Sequence, residues 1–304
     1  MNILITGGAG YIGSELTKLL GIHPQVNRIV IYDNLSRGNY NLFMGANKLH
    51  SAKVRFIKGE LLDSRKLQKE VNEADTVIHL AAKVTTPFAD YNPHEFDQSN
   101  NWGTAELTYL VEQSNVSKFI YASSASVYGS SVNELDVSDP INAKTFYGIS
   151  KMNGEEHVKV LQGDKIQTYI LRMGNVYGFS TSMRFDTVIN KFIFDANFSN
   201  RLRIFGDGNQ TRSFIHIDRL SKHLEELCLT EVKAGTYNLV ENTFTVNEIV
   251  DELKSIYPEL EMIFVNQTME LRSLNVKPNT WYKTDIGKDV LRNDLKDFKS
   301  RFRF

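Results

Sequence analysis

Tyr147 and Lys151 are two residues whose types and spacing could do chemistry. They stand four residues apart in the segment YGISK, so a helix would place them on one face. A tyrosine with a pKa near 10 keeps its proton at neutral pH, and ionising it costs about 4 kcal/mol. A lysine ammonium one turn away and the positive end of the helix would both stabilise the phenolate. The spacing is common in helices, so it predicts a proton-transfer site only if other groups meet it there.

A serine-rich segment lies ahead of this pair. Ser123, Ser124 and Ser126 directly follow the apolar residues 118–122, which predict a buried strand. A serine at a strand end can hydrogen-bond a reacting hydroxyl or carbonyl group, although an ordinary serine-rich turn has the same composition. Since residues 147–161 predict the next helix, Tyr147 and the serines are expected at the same edge of a sheet.

The N-terminal residues contain a glycine-rich turn. Gly7, Gly10 and Gly13 lie between the apolar run at residues 3–5 and a helical pattern. A strand, turn and helix in this order let backbone N–H groups approach a pyrophosphate, and the helix dipole favours negative charge there. Asp33 ends the next apolar run, where a carboxylate can accept hydrogen bonds from both hydroxyls of a ribose. The segment therefore predicts a dinucleotide site.

Two residues bear on the choice between NAD and NADP. Asp33 would repel the 2′-phosphate of NADP, whereas the guanidinium of Arg37 could pair with it. We expect NAD, because the carboxylate directly ends the strand.

Strands and helices alternate in the first part of the chain. Apolar runs predict strands at residues 3–5, 28–32, 54–58, 76–80, 118–122 and 168–172. Helical patterns lie between some of them, at 64–74, 100–113 and 147–161. The alternation predicts an α/β fold with a doubly wound parallel sheet in residues 1–175.

The alternation ends after residue 175. The pattern predicts helices at 185–197 and 217–229, strands at 202–205 and 236–239, and a further helix opened by the capping box of Thr245 and Glu248. We expect residues 176–304 to form mainly a smaller C-terminal α/β domain that binds the substrate. The chain is expected to return to the first domain at residues 211–240.

Composition argues against several classes of function. The 304 residues carry 35 Lys and Arg against 36 Asp and Glu, so nothing suggests nucleic acid as a partner. No apolar run reaches the about 18 residues that a membrane span needs, and no signal peptide is expected at the N-terminus. Cys228 is the single cysteine, which excludes an internal disulfide and a cysteine-only metal cluster. We therefore expect a cytoplasmic protein with no membrane contact and no metal.

Together these segments resemble the extended short-chain dehydrogenase/reductase family, and within it the nucleotide-sugar epimerases and dehydratases. The resemblance covers residues 1 to about 240 and rests on TGGAGYIG from Thr6, DNLSRG from Asp33, HLAA from His79, NNWGT from Asn100, SSASVYG from Ser123, YGISK from Tyr147, LRMGNVYG from Leu171 and GDGNQTRSFIHIDRL from Gly206. It implies a Rossmann domain with bound NAD, a nucleotide-diphosphate sugar as substrate, and Ser124, Tyr147 and Lys151 as the catalytic residues.

The resemblance also implies two sets of binding residues. The cofactor set consists of Gly7, Gly10, Tyr11, Ile12, Gly13, Asp33, Asn34, Ser36, Arg37, Glu60, Leu61, Leu80, Ala81, Ala82, Asn100, Tyr147 and Lys151. The substrate set consists of Thr85, Ser124, Tyr147, Asn175, Arg212 and Arg272. The two arginines are expected on the diphosphate, with a surface salt bridge as the alternative for each.

Some positions depart from the family pattern. Glu60 stands where an aspartate is usual near the adenine, and Met173 and Gly174 replace an aromatic pair before Asn175. Ser213 replaces the middle residue of an Arg-Asp-Phe segment. These departures leave the adenine contact and the sugar pocket open.

Two further positions narrow the reaction. Dehydratases of the family carry an Asp-Glu pair directly after the catalytic hydroxyl residue, and decarboxylases a Glu two residues after it, whereas this chain has Ala125 and Ser126. We therefore expect an epimerase that oxidises its sugar transiently and returns the hydride. An NADPH-dependent 4-keto-sugar reductase is the alternative. The intact set of Ser124, Tyr147 and Lys151 argues against a catalytically idle dinucleotide sensor.

Two helices carry more apolar residues than a single core-facing stripe needs, and this excess predicts a homodimer. The residues are Trp102, Leu107, Tyr109, Leu110 and Val111 on the first helix and Ile149, Met152, Val158 and Leu161 on the second. Pairing these helices with those of a second copy would form a four-helix interface, as the resemblance implies.

Overall fold

The computed structural model describes residues 1–44, 52–84, 92–265, 272–281 and 289–303. The strands in this part of the chain are β1 (Asn2–Thr6), β2 (Arg28–Asp33), β3 (Val54–Lys58), β4 (Thr76–His79), β5 (Lys118–Ser124), β6 (Ser131–Leu135), β7 (Gln167–Met173), β8 (Asn175–Tyr177), β9 (Arg201–Phe205), β10 (Thr211–His216), β11 (Gly235–Leu239), β12 (Asn242–Thr245), β13 (Glu261–Val265) and β14 (Leu274–Val276). The helices are α1 (Tyr11–Ile22), α2 (Ser64–Asn72), α3 (Pro93–Phe96), α4 (Gly103–Glu112), α5 (Phe146–Lys159), α6 (Val188–Ser199), α7 (Ile217–Leu229), α8 (Val246–Ile256) and α9 (Val290–Ser300).

Seven parallel strands form the central sheet, in the order β11-β7-β5-β4-β1-β2-β3. Its strands carry runs of buried apolar residues, as expected where helices cover both faces. Ile3 and Ile5 belong to a core shared with α1 and α7, which includes Leu224. Leu4 points to the other face and joins a core with α2, α4 and α5, which includes Leu107. The predicted α/β fold with a doubly wound parallel sheet is confirmed.

Several predicted elements are found at the expected residues. All six predicted strands of the first part lie in the central sheet, and α7 has the predicted bounds. The capping box opens α8, because the Thr245 hydroxyl accepts a hydrogen bond from the Glu248 N–H (3.1 Å) and the Glu248 carboxylate accepts one from the Thr245 N–H (2.7 Å).

Two predicted helices begin elsewhere. The helix expected at 100–113 is preceded by α3 and a π-helical turn, Asp97–Trp102, and continues as α4. This wider turn contains Asn100, whose side chain is bonded to the Lys83 backbone, and such turns recur at functional sites. The helix expected from residue 185 begins at Val188, since Arg184 and Asp186 pair with each other (2.7 Å) ahead of it.

The C-terminal part of the chain adds small sheets that the sequence pattern did not reveal. Strands β12, β10 and β8 form one sheet, while β13 pairs with β9 and β14 pairs with β6. Helices α6, α8 and α9 share a core that includes Phe192, Leu253 and Leu295. Strand β11 lies beside β7 at the edge of the central sheet. The division into domains at residues 175 and 176 stays a prediction.

The order of the central sheet reverses at β1. Its neighbours are β2 on one side and β4 on the other, so the connections that leave these strands diverge. In open α/β sheets, ligands bind in the crevice outside the carboxyl ends of strands at such a point.

Candidate active site

The turn between β1 and α1 lies tightly against its neighbours. Gly7 has a φ of +71°, its N–H donates to the Tyr32 carbonyl (2.8 Å), and a Cβ on it would lie 2.5 Å from the Ala81 nitrogen. A Cβ on Gly13 would lie 2.5 Å from the Cα of Gly8. Backbone atoms cannot move out of the way as a flexible side chain can. Only glycine fits at these two positions, and the start of α1 lies close over the end of β1.

The N-terminus of α1 is open to a ligand. Its N-cap residue, Gly10, makes no side-chain cap hydrogen bond, and the first turn contains no acidic residue. A Cβ on Gly10 would meet only the Gly7 carbonyl oxygen, 3.1 Å away, and otherwise open space. The N–H groups of a first helical turn, here Tyr11 and Ile12 onward, lack intrahelical acceptors and favour an anion. The site therefore fits the pyrophosphate of a dinucleotide.

Asp33 is held rigidly beside this turn. Its Oδ2 accepts a hydrogen bond from the Ala9 N–H (3.1 Å) and its Oδ1 accepts one from the Leu35 N–H (2.8 Å). Burial raises the pKa of this carboxyl, and the two N–H groups oppose that effect. Each oxygen keeps a further lone pair, so the carboxylate could still accept from ribose hydroxyls.

The residues predicted around the adenine lie next to one another. The Asn34 amide donates to the Glu60 carboxylate (3.0 Å) and accepts from the Ser36 N–H (2.9 Å). Leu61 is partly buried against the core of the second face. The Arg37 guanidinium lies 3.9 Å from the Asp186 carboxylate, which offsets part of its charge.

The end of β4 forms the other wall of the crevice. The Leu80 N–H donates to the Thr6 carbonyl (3.0 Å), which places Ala81 and Ala82 directly after the paired residues. His79 is fully buried, with Nδ1 2.7 Å from the Thr6 hydroxyl and Nε2 3.0 Å from that of Thr104. Burial lowers the pKa of His79 to about 3, so the ring is neutral. These contacts indicate a structural role for His79.

Ser124 and Tyr147 meet at the carboxyl end of β5. Helix α5 begins at Phe146, where the Thr145 hydroxyl caps it by accepting the Gly148 N–H (3.0 Å). This places Tyr147 in the first turn, near the Ser124 side chain, which acts to lower the pKa of Tyr147. The two groups could therefore act together on one hydroxyl of a substrate.

Lys151 lies one turn further along α5 and is 2% exposed. Its ammonium nitrogen sits 4.3 Å from the centre of the Tyr121 ring. Burial lowers the pKa of Lys151 to about 7, while the charge of Glu155 acts in the opposite direction. The ammonium and neutral amine are thus close in free energy at neutral pH.

Burial raises the pKa of Tyr147 and outweighs the opposing effects of the Ser124 side chain and the charge of Arg184. Taking a phenolate out of water disfavours it more than these groups favour it.

Asn100 connects the wall of the crevice to α5. Its side chain accepts a hydrogen bond from the Lys83 N–H (2.8 Å) and donates to the Lys83 carbonyl (2.9 Å) and to the Ser150 hydroxyl (2.9 Å). Ser150 in turn donates to the Tyr147 carbonyl (2.8 Å). The structure thus gives Asn100 a positioning role, and its contact with the cofactor stays a prediction.

Three predicted substrate residues, Arg212, Arg272 and Asn175, donate hydrogen bonds to backbone carbonyls. The Arg212 guanidinium is half-buried and donates to two of them, those of Thr211 (2.8 Å) and Arg272. Arg272 donates to the Lys144 carbonyl (3.0 Å), and the Asn175 amide to the Ser213 carbonyl (3.3 Å). Neither arginine shows a salt bridge within the described residues. Thr85 lies outside the described residues.

Two residues near Tyr147 were not predicted from the sequence. Arg184 donates to the Val84 carbonyl (2.7 Å), and its charge lowers the pKa of Tyr147. No spacing signal marks it, because it lies in an irregular segment far along the chain. Glu155 continues the four-residue spacing of Tyr147 and Lys151 on α5, a signal that could have been used.

The fold and site together define a dinucleotide-binding enzyme with a tyrosine–lysine pair at its crevice. The model of the NAD-dependent epimerase/dehydratase family matches residues 3–238. The human dTDP-D-glucose 4,6-dehydratase is 32% identical over 271 residues, which cover 84% of this chain and 74% of the human protein. The UDP-glucose 4-epimerase of Erwinia amylovora is 31% identical over 249 residues, covering 75% and 73%.

A solved structure supports the same assignment. It is a variant of the UDP-glucuronic acid 4-epimerase of Bacillus cereus in complex with UDP-4-deoxy-4-fluoro-glucuronic acid and NAD. It is 25% identical, covers 99% of this chain and 98% of its own, and has a TM-score of 0.86. The chain belongs to the NAD-dependent epimerase/dehydratase family, and its cofactor is NAD.

Two further classes of feature are absent from the described residues. No helix among them combines the length and the apolar character that crossing a membrane requires. No group of three or more His, Cys, Asp or Glu side chains in the same residues could hold a metal ion.

Gly10→Ala and Gly13→Ala separate ligand binding from packing. We expect Gly10→Ala to weaken NAD binding at least tenfold because its methyl group enters the space that a pyrophosphate approaches, while the loss of the N-cap glycine costs about 1 kcal/mol of unfolding free energy or less. Gly13→Ala should lower both, with a loss of roughly 1–3 kcal/mol from overpacking. Calorimetric titration with NAD and urea unfolding measure the two effects. Wild-type NAD affinity in Gly10→Ala would contradict the assignment of this turn.

Proposed function

We propose that the protein is a nucleotide-sugar epimerase that works through a transient keto-sugar and bound NAD. The observation that carries the proposal is the placement of Tyr147 and Lys151 one turn apart at the start of α5, beside Ser124, whose side chain acts to lower the pKa of Tyr147. The family includes dehydratases and decarboxylases as well as epimerases, so the choice among them depends on the residues around this centre.

In this proposal Tyr147 carries out the proton transfer. Its hydroxyl oxygen, once ionised, takes the proton from a sugar hydroxyl, and Ser124 holds that hydroxyl in place. The Lys151 ammonium supports the phenolate against the cost of burial. NAD, when bound, supplies the hydride acceptor and a positive charge beside the phenol. The proton returns from Tyr147 to the keto oxygen when the hydride returns to the other face of the sugar.

The charges of Arg212 and Arg272 fit a nucleotide diphosphate. The Arg212 guanidinium donates a hydrogen bond to the Arg272 carbonyl, and the Arg272 guanidinium donates one to the Lys144 carbonyl. A half-buried guanidinium whose described acceptors are backbone carbonyls keeps its charge available for phosphate oxygens. We propose that these residues and Asn175 bind the substrate, and that residues 176–304 form most of its domain.

The residues after Ser124 favour epimerisation over elimination. The Ala125 side chain is buried, and the Ser126 N–H donates to the Ser124 hydroxyl (3.1 Å) in a short 3-10 turn. Neither side chain can exchange a proton as a carboxylic acid does. Loss of the 6-hydroxyl needs such an acid, and general acid–base help contributes typically 10²–10⁴-fold in rate.

The reaction can be identified from its products. We expect that one of a panel of UDP-, dTDP-, GDP- and CDP-sugars, incubated in deuterated water, is inverted at one carbon with NAD unchanged. No deuterium should appear at that carbon, because the hydride returns from the cofactor. Mass spectrometry and proton NMR measure both. A 6-deoxy-4-keto product would contradict the proposal, and stoichiometric consumption of NADPH would favour the keto-sugar reductase.

Tyr147→Phe tests the proton-transfer role. We expect turnover to fall at least about 100-fold, because the variant has no group that exchanges a proton with the sugar hydroxyl. NAD binding should stay within a few fold of wild type, since the glycine turn holds the pyrophosphate. Tyr40→Phe, at a tyrosine that is 56% exposed, serves as the matched control. If cofactor and activity are lost together, Tyr147 is structural.

We also propose a homodimer, with a smaller interface than the sequence predicts. Leu107, Leu110, Val111, Val158 and Leu161 are buried in the core of the second face, so their assignment to the interface is wrong. They lie on the core-facing sides of α4 and α5, with Leu161 just after the end of α5. Trp102 and Tyr109 remain 58% and 57% exposed, and Ile149 37%. Phe146 and Val160, which the sequence analysis did not single out, are exposed as well.

Tyr109→Lys with Ile149→Lys tests this interface. We expect a dimer for the wild type and dissociation of the double variant. In a symmetric interface each substitution is present on both subunits, so every new charge occurs there twice. Light scattering at micromolar protein gives the mass. Val132→Lys, at an exposed valine on β6, is the control for added charge. A monomeric wild type would refute the dimer.

A further inference from the structure

Glu155 is a fully buried carboxylate behind the proposed catalytic residues. It lies on α5 one turn after Lys151 and is 0% exposed. Its Oε1 accepts hydrogen bonds from the Ser123 hydroxyl (2.5 Å) and from Nε of Arg172 (3.1 Å). Its Oε2 accepts from Nη2 of Arg172 (2.9 Å). The carboxyl group is therefore paired with Arg172 and fixed by two strands of the central sheet.

These contacts join the three elements that carry the site. Ser123 directly precedes Ser124 on β5 and lies opposite Arg172 of β7 in the strand register. Glu155 belongs to the helix that carries Tyr147 and Lys151. The carboxylate thus sets the distance between the serine strand and the tyrosine helix.

The same carboxylate acts on the charge of Lys151. The groups that act on that ammonium are the Tyr121 ring of β5, neutral His79 of β4 and Glu155. Burial disfavours the ammonium, and Glu155 is the one group among these whose negative charge supports it. Without that charge, the neutral amine would gain population at neutral pH.

We propose that Glu155 is a positioning residue that keeps Lys151 protonated and holds α5 against β5. The inference rests on the proposed function of Lys151 as the cation that supports the Tyr147 phenolate. Arg172 belongs to the same unit, because its guanidinium pairs with the Glu155 carboxylate and also donates to the Tyr128 hydroxyl (2.9 Å). Tyr128 donates onward to Asn238 of β11 (2.7 Å).

The test is the titration of Lys151 itself, which needs no substrate. The protein is labelled with ε-¹³C lysine, the Lys151 signal is assigned with Lys151→Met, and its shift is followed against pH. In Glu155→Gln the titration midpoint is expected to fall by roughly one pH unit or more, because an opposing charge nearby is lost. Glu156→Gln removes the neighbouring exposed carboxylate and should leave the midpoint unchanged. Ser123→Ala removes a hydrogen bond but no charge and should also leave it unchanged.

A double variant covers the possibility that Glu155→Gln does not fold. Breaking one partner of a buried pair is strongly destabilising, whereas replacing both partners is often tolerated. Glu155→Gln with Arg172→Met leaves no unpaired charge, and its Lys151 midpoint should still lie below that of the wild type. Glu155→Asp keeps the charge and should restore the midpoint.

The outcomes separate this inference from the proposed function. An unchanged Lys151 midpoint in both Glu155→Gln and the double variant would overturn it, and Glu155 would then be structural only. A lowered midpoint together with absent turnover on every nucleotide sugar would support the link between Glu155 and Lys151 while failing the proposed function. With the substrate in hand, kcat of Glu155→Gln should decline at lower pH than that of the wild type.

Discussion

The close approach of the first turn to β4 is the constraint on which the crevice depends. Strand β1 stands where the sheet order reverses, so the elements that follow β1 and β4 leave in different directions and open a space between them. The turn after β1 can lie in that space only if no side chain separates its backbone from Ala81. Gly7 meets this requirement, and the helix that follows then directs its N-terminus toward the place where Asp33 and Tyr147 also face.

The chemistry at this crevice depends on a balance between burial and charge. Burial raises the pKa of Tyr147 and lowers that of Lys151, so both groups are pushed toward their neutral forms. Lys151 is thereby brought near the point at which it can exchange a proton at neutral pH, whereas the phenol of Tyr147 is moved away from that point. The groups that hold this balance lie on different elements, namely the serine of β5, Arg184 after β8 and the carboxylate of Glu155.

The sequence predicts the central sheet well because parallel buried strands are continuous apolar runs. The same reasoning identifies the glycine turn, Asp33 and the tyrosine–lysine pair as candidates, because each is recognised from residues that lie close together in the sequence. It does not show whether an apolar residue on a helix faces the core or a partner subunit. The spacing of Leu107 and Val158, for example, fits a core and an interface equally well. The reasoning also fails for β6 and β14, which are short and partly polar, and for Arg184, which reaches Tyr147 only through the tertiary fold. The sign of the phenol pKa shift depends on burial, which no spacing reveals.

The place of β11 at the sheet edge bears on how the chain is made. A ribosome releases β7 well before residues 235–239 exist, and the small sheet of β8 and β10 is synthesised in between. Until β11 arrives, β7 presents a row of unpaired backbone groups, which is the kind of edge that pairs with other chains. The nascent protein therefore passes through a stage in which its largest sheet is incomplete and prone to association. Completing that edge requires most of the polypeptide, so the core around the central sheet closes late in synthesis.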